Sequence, residues 1–404
     1  MKRILILGGG FAGLWSAVGA ARKRDELGLA ADDIEITLVN RDAHHAIRVR
    51  NYEPDLSPLR VPLDDVLEPI RVRRVEGDVA NLDFPNQFVT VTAPNDSVTL
   101  PYDRLVFALG SQLARPHLPG LATYGHDVDT FTGAARLETH LKSLALRPST
   151  FASRTVAIIG AGLTGIETAA EMPDRLRGFG LEGGRVILID HNAHVGSDMG
   201  ESARPVITEA LAALGVQTRL GESVQSVGAE SLRLQSGEEI PTCTTIWCAG
   251  MRAHPLTAQF PGERDPLGRL PVDSFLRVEG MANVFAAGDV ARLMITEGHA
   301  SVMSCQHARP MGRYAGHNVV CDLVGLPLKP LRIDWYVTVL DLGAWGAVYT
   351  EGWDRTVVAT GAIAKATKEE INRRRINPPC HDRAAILAAG AAEVQTPPAY
   401  RGGT

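Results

Sequence analysis

The chain has 404 residues, 45% of them hydrophobic and 22% charged, with a formal net charge of −5. That length and composition suit two or three globular domains with sizeable cores, and a slightly acidic balance with scattered arginines gives no electrostatic footing for nucleic acid. Five cysteines without a C-x-x-C pair exclude a secreted disulfide framework and a thiol relay.

Residues 4–21 carry no charge and follow Lys2 and Arg3, which imitates a leader or a short membrane span. Gly8, Gly9, Gly10 and Gly13 interrupt the run, however, and they weaken a helix while serving a tight turn. The expectation is a buried strand at Lys2–Leu7, a Gly8-x-Gly10-x-x-Gly13 turn, an alanine-rich helix to about Arg24 and a second strand at Ile34–Val39. In such a β-α-β unit the glycines let a pyrophosphate approach the backbone, and the helix N-terminus faces its negative charge. Asn40 ends the second strand.

The arrangement returns 152 residues later. Thr155–Ile159 reads as strand, Gly160-x-Gly162-x-x-Gly165 as the turn, Ile166 to about Leu176 as helix and Arg185–Asp190 as the next strand. Asp190 places a carboxylate where a ribose 2′-hydroxyl is hydrogen-bonded and a 2′-phosphate is repelled, so NADH is expected over NADPH. His191-x-x-His194 lies on a turn without a third ligand, so no metal is expected. The densest basic run, Arg373–Arg375, reads as a solvated face. Tyr336, Trp345, Tyr349 and Trp353 suit either an acceptor-pocket wall or a homodimer contact. After Lys365 the chain offers Ala366–Arg375, an Asn-Pro-Pro break, a short Ala384–Ala392 segment and a Pro/Gly tail expected to be disordered. A cytoplasmic protein without an integral membrane span is expected.

Two nucleotide units with the later stretches Tyr102–Ser111, Ile246-Trp-Cys-Ala-Gly-Met251 and Asn283-Val-Phe-Ala-Ala-Gly-Asp289 resemble the FAD/NAD(P)-dependent pyridine nucleotide oxidoreductases. Within them the chain is most similar to type II NADH:quinone oxidoreductases, over roughly residues 1–350. The resemblance implies an α/β fold of two Rossmann-like domains. A discontinuous FAD domain (1–113 and 253–325) receives an inserted NAD(H) domain (114–252), and residues 326–404 form an α+β cap. It implies a non-covalent FAD held by Gly8, Gly10, Phe11, Ala12 and Gly13, with Asn40, Arg41, Arg48, Val79, Ala108, Gly110, Gly288 and Asp289. It implies NADH on Gly160, Gly162, Leu163, Thr164 and Gly165, with Asp190, Ala249 and Gly250. Glu167, Gln306 and His307 are the implied catalytic group, Glu167 near nicotinamide and flavin and the other two beside the flavin pyrimidine. The activity implied is NADH oxidation through the flavin to a small-molecule electron acceptor such as a quinone or another aromatic oxidant. The alternatives are a reductase for a small ferredoxin-like electron-transfer protein and an NADH-sensing flavoprotein like the apoptosis-inducing relatives. Type II enzymes carry Ala-Gln-x-Ala-x-Gln-Gln-Gly at the quinone channel. Here Cys305–Gly312 keeps Gln306, Ala308 and Gly312 but has Pro310 and Met311 in place of the two glutamines.

Overall fold

The apolar run at the N-terminus forms strand β1 (Lys2–Leu7), and helix α1 (Phe11–Glu26) follows the glycine turn. Strands β2 (Ile34–Asn40), β3 (Arg73–Glu76) and β4 (Arg104–Phe107) continue the first unit. In this computed structural model, which describes residues 1–93 and 96–399, the chain then enters a second unit. That unit runs β5 (Gly125–His126), α2 (Phe131–Ala145), β6 (Thr155–Ile159), α3 (Leu163–Gly178), β7 (Arg185–Asp190), α4 (Gly200–Ala213), β8 (Gln217–Leu220) and β9 (Thr244–Trp247). The chain returns through β10 (Val284–Ala286) and α5 (Cys305–Val324). It ends with β11 (Val337–Asp341), β12 (Ala347–Glu351), β13 (Thr356–Thr360), α6 (Gly361–Glu370) and α7 (Arg383–Ala389).

Two five-stranded parallel sheets result, ordered β10-β4-β1-β2-β3 and β5-β9-β6-β7-β8. Parallel strands buried on both faces need unbroken apolar runs, and β1 and β6 supply them with Ile4–Leu7 and Val156–Ile159, all buried. The first sheet is closed only when β10 pairs with β4, Val284 opposite Leu105. The two crossings between the units lie side by side, Ser111–Leu113 pairing antiparallel with Met251–Ala253. The mixed α/β, two-dinucleotide-domain architecture expected from the sequence is therefore present. The C-terminal strands form an antiparallel sheet whose Leu340, Leu342 and Val348 enter the core of the inserted unit.

Helix α5 lies on α1 with almost no side chain between them. A β-carbon on Gly312 would stand 2.4 Å from the Ala12 carbonyl oxygen, and one on Gly316 would stand 2.1 Å from that of Ser16. The tail departs from the disorder expected of it as far as Ala399: Lys329 Nζ donates to the Ala392 carbonyl at 2.8 Å, and the Tyr349 hydroxyl donates to that of Pro398 at 2.9 Å. Tyr400–Thr404, also within that expectation, lie outside the described residues. Because any side chain at Gly316 must push the α1 and α5 backbones apart, Gly316→Val should cost about 1–3 kcal/mol or more. The loss reads out in urea unfolding as a lower midpoint at unchanged slope, and an unaltered midpoint would show that α1 and α5 do not meet there.

Candidate functional site

The first turn is built by close approach. Gly8 has φ +104°, and its missing β-carbon would lie 2.4 Å from the Ala108 carbonyl oxygen. One on Gly13 would lie 1.7 Å from the Gly8 carbonyl oxygen. Gly10 differs, since a β-carbon there meets nothing within 4 Å. The protein's own packing does not require that glycine; the open space in front of it admits a ligand to the backbone. Gly10 is also the N-cap of α1, with no side-chain cap and no acidic residue in the first turn. The first N–H groups of α1 thus remain for an anion.

Behind the turn, Asn40 Oδ1 accepts from Gly9 N at 2.9 Å. His45 Nδ1 lies 2.9 Å from the Gly9 carbonyl, so that nitrogen carries the proton. Burial pushes the His45 pKa down to about 4, which leaves a neutral imidazole wedged against Phe11. Arg41 follows the end of β2 and pairs with exposed Asp78 at 3.4 Å, and Val79 is the next residue in the strand Asp78–Asp83.

The second turn repeats this construction. Gly160 has φ +105° and sits 3.0 Å, measured from its would-be β-carbon, from the Ala249 backbone, while Gly165 meets the Gly160 carbonyl oxygen at 1.7 Å. Gly162 faces open space, with only Asp198 Oδ2 at 3.8 Å, and it is the uncapped N-cap of α3, whose first residues are Leu163 and Thr164. Asp190 takes the place Asn40 holds in the first unit: its Oδ2 accepts from Ala161 N at 2.5 Å and its Oδ1 from Asn192 N at 2.7 Å. The carboxylate braces the turn as well as closing the strand, a role its position in the sequence did not disclose. Gly250, with φ +79°, turns the chain beyond Ala249.

At the far end of the first cradle, Gly288 (φ +78°) approaches Ala12, and Asp289 follows it in a short 3-10 turn. Burial pushes the Asp289 pKa up, opposed by the Ser111 hydroxyl donating to it at 2.6 Å and by Arg48. Arg48 is itself held, pairing with Asp129 and donating to Ser111 Oγ at 3.0 Å. Gly110, with φ +73° and open space beside it, precedes this chain of contacts. Asp129 escaped the sequence reading because it belongs to no motif, and Ser111 entered it only as the end of the Tyr102–Ser111 stretch, without a role of its own. Helix α5 begins nearby with Gln306 and His307. His307 Nδ1 accepts from Val302 N at 2.8 Å, so its proton sits on Nε2. Burial holds its pKa down at about 4. Gln306 Nε2 and His307 Nε2 are both buried donors without a partner. A ligand presenting acceptors at this helix start would satisfy them, which a flavin pyrimidine does.

Glu167 is not a carboxylate resting on the dipole of its own helix. Its Oε1 meets Lys368 Nζ of α6 at 2.7 Å and accepts from Asp341 N at 3.1 Å. Burial raises the Glu167 pKa against the pull of Lys368. Burial works to lower that of Lys368, but Glu167 and Asp341 outweigh it and hold it above the usual lysine value. Lys365 joins Asp341 at 2.5 Å and Glu171 at 3.5 Å, and the Tyr52 hydroxyl lies 3.2 Å from Asp341 Oδ2. One buried network therefore ties the inserted unit, the C-terminal sheet and the loop after β2. Tyr336 and Trp353 stack at 4.4 Å, with His307 5.7 Å from Tyr336. Tyr336 and Tyr349 are buried within the chain, so these two tyrosines do not form a dimer face. Among the described residues no group of three or more His, Cys, Asp or Glu converges on a point, and no helix is long and apolar enough to cross a membrane.

Residues 2–312 match the pyridine nucleotide-disulphide oxidoreductase family. An NADH dehydrogenase-like protein of Mycobacterium tuberculosis is 55% identical over 403 residues, covering 98% of this chain and all of that one. A demethylphylloquinone reductase of Synechocystis is 30% identical over 355 residues, 86% of each chain. The structure of NDH2 from Plasmodium falciparum in complex with NADH superposes with a TM-score of 0.77 over 96% of this chain and 97% of that one at 14% identity, a likeness of fold. The chain belongs to the pyridine nucleotide-disulphide oxidoreductase family and is an NAD(P)H-dependent flavoprotein oxidoreductase of the type II NADH dehydrogenase kind.

Proposed function

We propose that the protein oxidises NADH through a bound FAD and passes the electrons to a small acceptor such as a quinone. The observation that carries this reading is the pair of uncapped helix starts, each behind a glycine whose β-carbon position faces open space. Each suits one pyrophosphate, and the two lie in one chain with a shared polar centre. When bound, the flavin supplies the hydride-accepting ring; the protein supplies placement. The Gly8–Gly13 turn and α1 would hold the FAD pyrophosphate, the Ser111-anchored Asp289 its ribityl side, and Gln306 with His307 the pyrimidine edge. Two neutral N–H donors there favour electron density arriving on the ring without placing a fixed cation beside it. The Gly160–Gly165 turn and α3 would hold the NADH pyrophosphate and bring its nicotinamide toward Glu167. The relative named for demethylphylloquinone supports a quinone acceptor, although Pro310 and Met311 stand where the type II pattern has its two glutamines.

Asp190 sets the choice of dinucleotide in this reading. Each of its oxygens accepts one backbone hydrogen bond and retains a lone pair for a ribose hydroxyl, whereas a 2′-phosphate meets like charge at a cost of about 1–4 kcal/mol.

Purified protein should be yellow, with FAD released on denaturation, and anaerobic NADH should bleach it several-fold to several hundred-fold faster than NADPH, as stopped-flow absorbance will read. Absence of flavin refutes the cofactor assignment. Asp190→Asn, which keeps the Ala161 contact and loses the charge, should narrow the NADH preference by roughly tenfold; an unchanged ratio clears Asp190 of discrimination. Because His307 is neutral above about pH 4, the bleaching rate should show no His307 titration between pH 5.5 and 8. An inflection near 6.5 that vanishes in His307→Asn would contradict the buried neutral imidazole.

A further inference from the structure

Beside α1, α5, α6 and the tail lies a cavity of about 490 Å³ that shares no residue with either glycine turn. Arg309 and Arg313, one turn apart on α5, line it together with Trp15, Glu370, Arg374 and Arg375. Arg309 and Arg313 are only 6% and 3% exposed, yet neither side chain makes a hydrogen bond or ion pair among the described residues, and the Nε of each is buried without a partner. Their guanidinium groups lie 5.1 and 4.4 Å from the centroid of the Trp15 ring. Stacking on an indole offsets part of the cost of burying a cation, but it does not satisfy N–H donors or cancel the repulsion between two neighbouring charges. Burial and that repulsion hold the Arg309 pKa down at about 9. The acid in the lining is already engaged, as Glu370 pairs with Arg374 at 3.7 Å. Arg375, which the sequence assigned to a solvated face, is instead half-buried and donates to the Thr396 carbonyl.

We propose that this cavity binds a small organic anion, a carboxylate or phosphate group on an apolar body, with the acid held by Arg309 and Arg313. Two buried guanidinium groups at helical spacing offer the forked donors that oxyanions accept, and an acid there supplies the partners the fold withholds. The volume falls within the range of sites for small organic ligands, leaving room for a body against Pro379, Ala389 and Pro398 on the remaining wall. The site is independent of the flavin and dinucleotide assignments above.

Isothermal titration of the flavin-loaded full chain with 2-naphthoate, 2-naphthyl phosphate, inorganic phosphate and neutral 2-naphthol tests it. One or both naphthyl acids should bind, at least roughly tenfold more tightly than naphthol and than inorganic phosphate, and the tighter of the two identifies the acid class. The double variant Arg309→Met, Arg313→Met should weaken that binding roughly 10- to 100-fold while NADH still bleaches the flavin at the wild-type rate. Should the double variant fail to fold, Arg313→Lys, which keeps the charge and loses the fork, should weaken the acid several-fold. Equal affinity for naphthol, undiminished binding in the variants, or no binding of either naphthyl acid overturns the proposal.

Discussion

At both turns a carbonyl oxygen occupies the place where the third glycine would carry its β-carbon, 1.7 Å away. No other residue lets the helix start that close to the strand it follows. The contact fixes where α1 and α3 begin and points their unpaired N–H groups past the ends of β1 and β6. It also sets the spacing that places Asp289 and the start of α5 at one end of the first cradle and Glu167 one turn into the helix of the second. Side chains elsewhere adjust to this backbone geometry. Asn40 and Asp190 occupy equivalent positions and brace equivalent N–H groups although one is an amide and the other a carboxylate.

Much of this was legible in the sequence because the information is local. A glycine spacing, a run of branched apolar residues and the opening of a helix all fall within a dozen or so neighbours, and both β-α-β units follow from them; the returning Asn283–Asp289 strand was legible through its resemblance to the family. The polar centre was only half legible. Glu167 was singled out by the family resemblance, but its partner Lys368 lies 201 residues away, and nothing in the Lys365–Lys368 segment marks it as anything but a helix face. Arg48 was named among the FAD-holding residues by resemblance alone, and nothing in the sequence showed that its fork is taken by Asp129 and Ser111. The tail and Arg375 were misjudged for a related reason: composition reports what a segment contributes to solvent, not what the rest of the chain offers it to lie against.

The Glu167–Lys368–Asp341–Lys365–Glu171 network is expensive to assemble, since charges removed from water regain their solvation only through well-placed partners. Here every member has at least one. Breaking a buried pair by removing one partner typically costs about 3–5 kcal/mol, so the C-terminal segment is fastened to the inserted unit by more than apolar packing. That fastening gives the α6 lysines a fixed address beside the second cradle, where a freely moving cap would leave the Glu167 carboxylate to water.

The sheet of the first unit is completed by a strand made long after its neighbour. Phe107 ends β4 and Val284 begins β10, so a ribosome adding about 5–20 residues each second spends on the order of ten seconds or more between them. During that interval β4 is an open edge in a nascent chain, the kind of exposed strand that recruits wrong partners. The inserted unit, whose sheet needs nothing from either flank, can mature first and hold the two crossing strands together. The late strand then finds its slot already framed, and the order of synthesis becomes an asset to the fold.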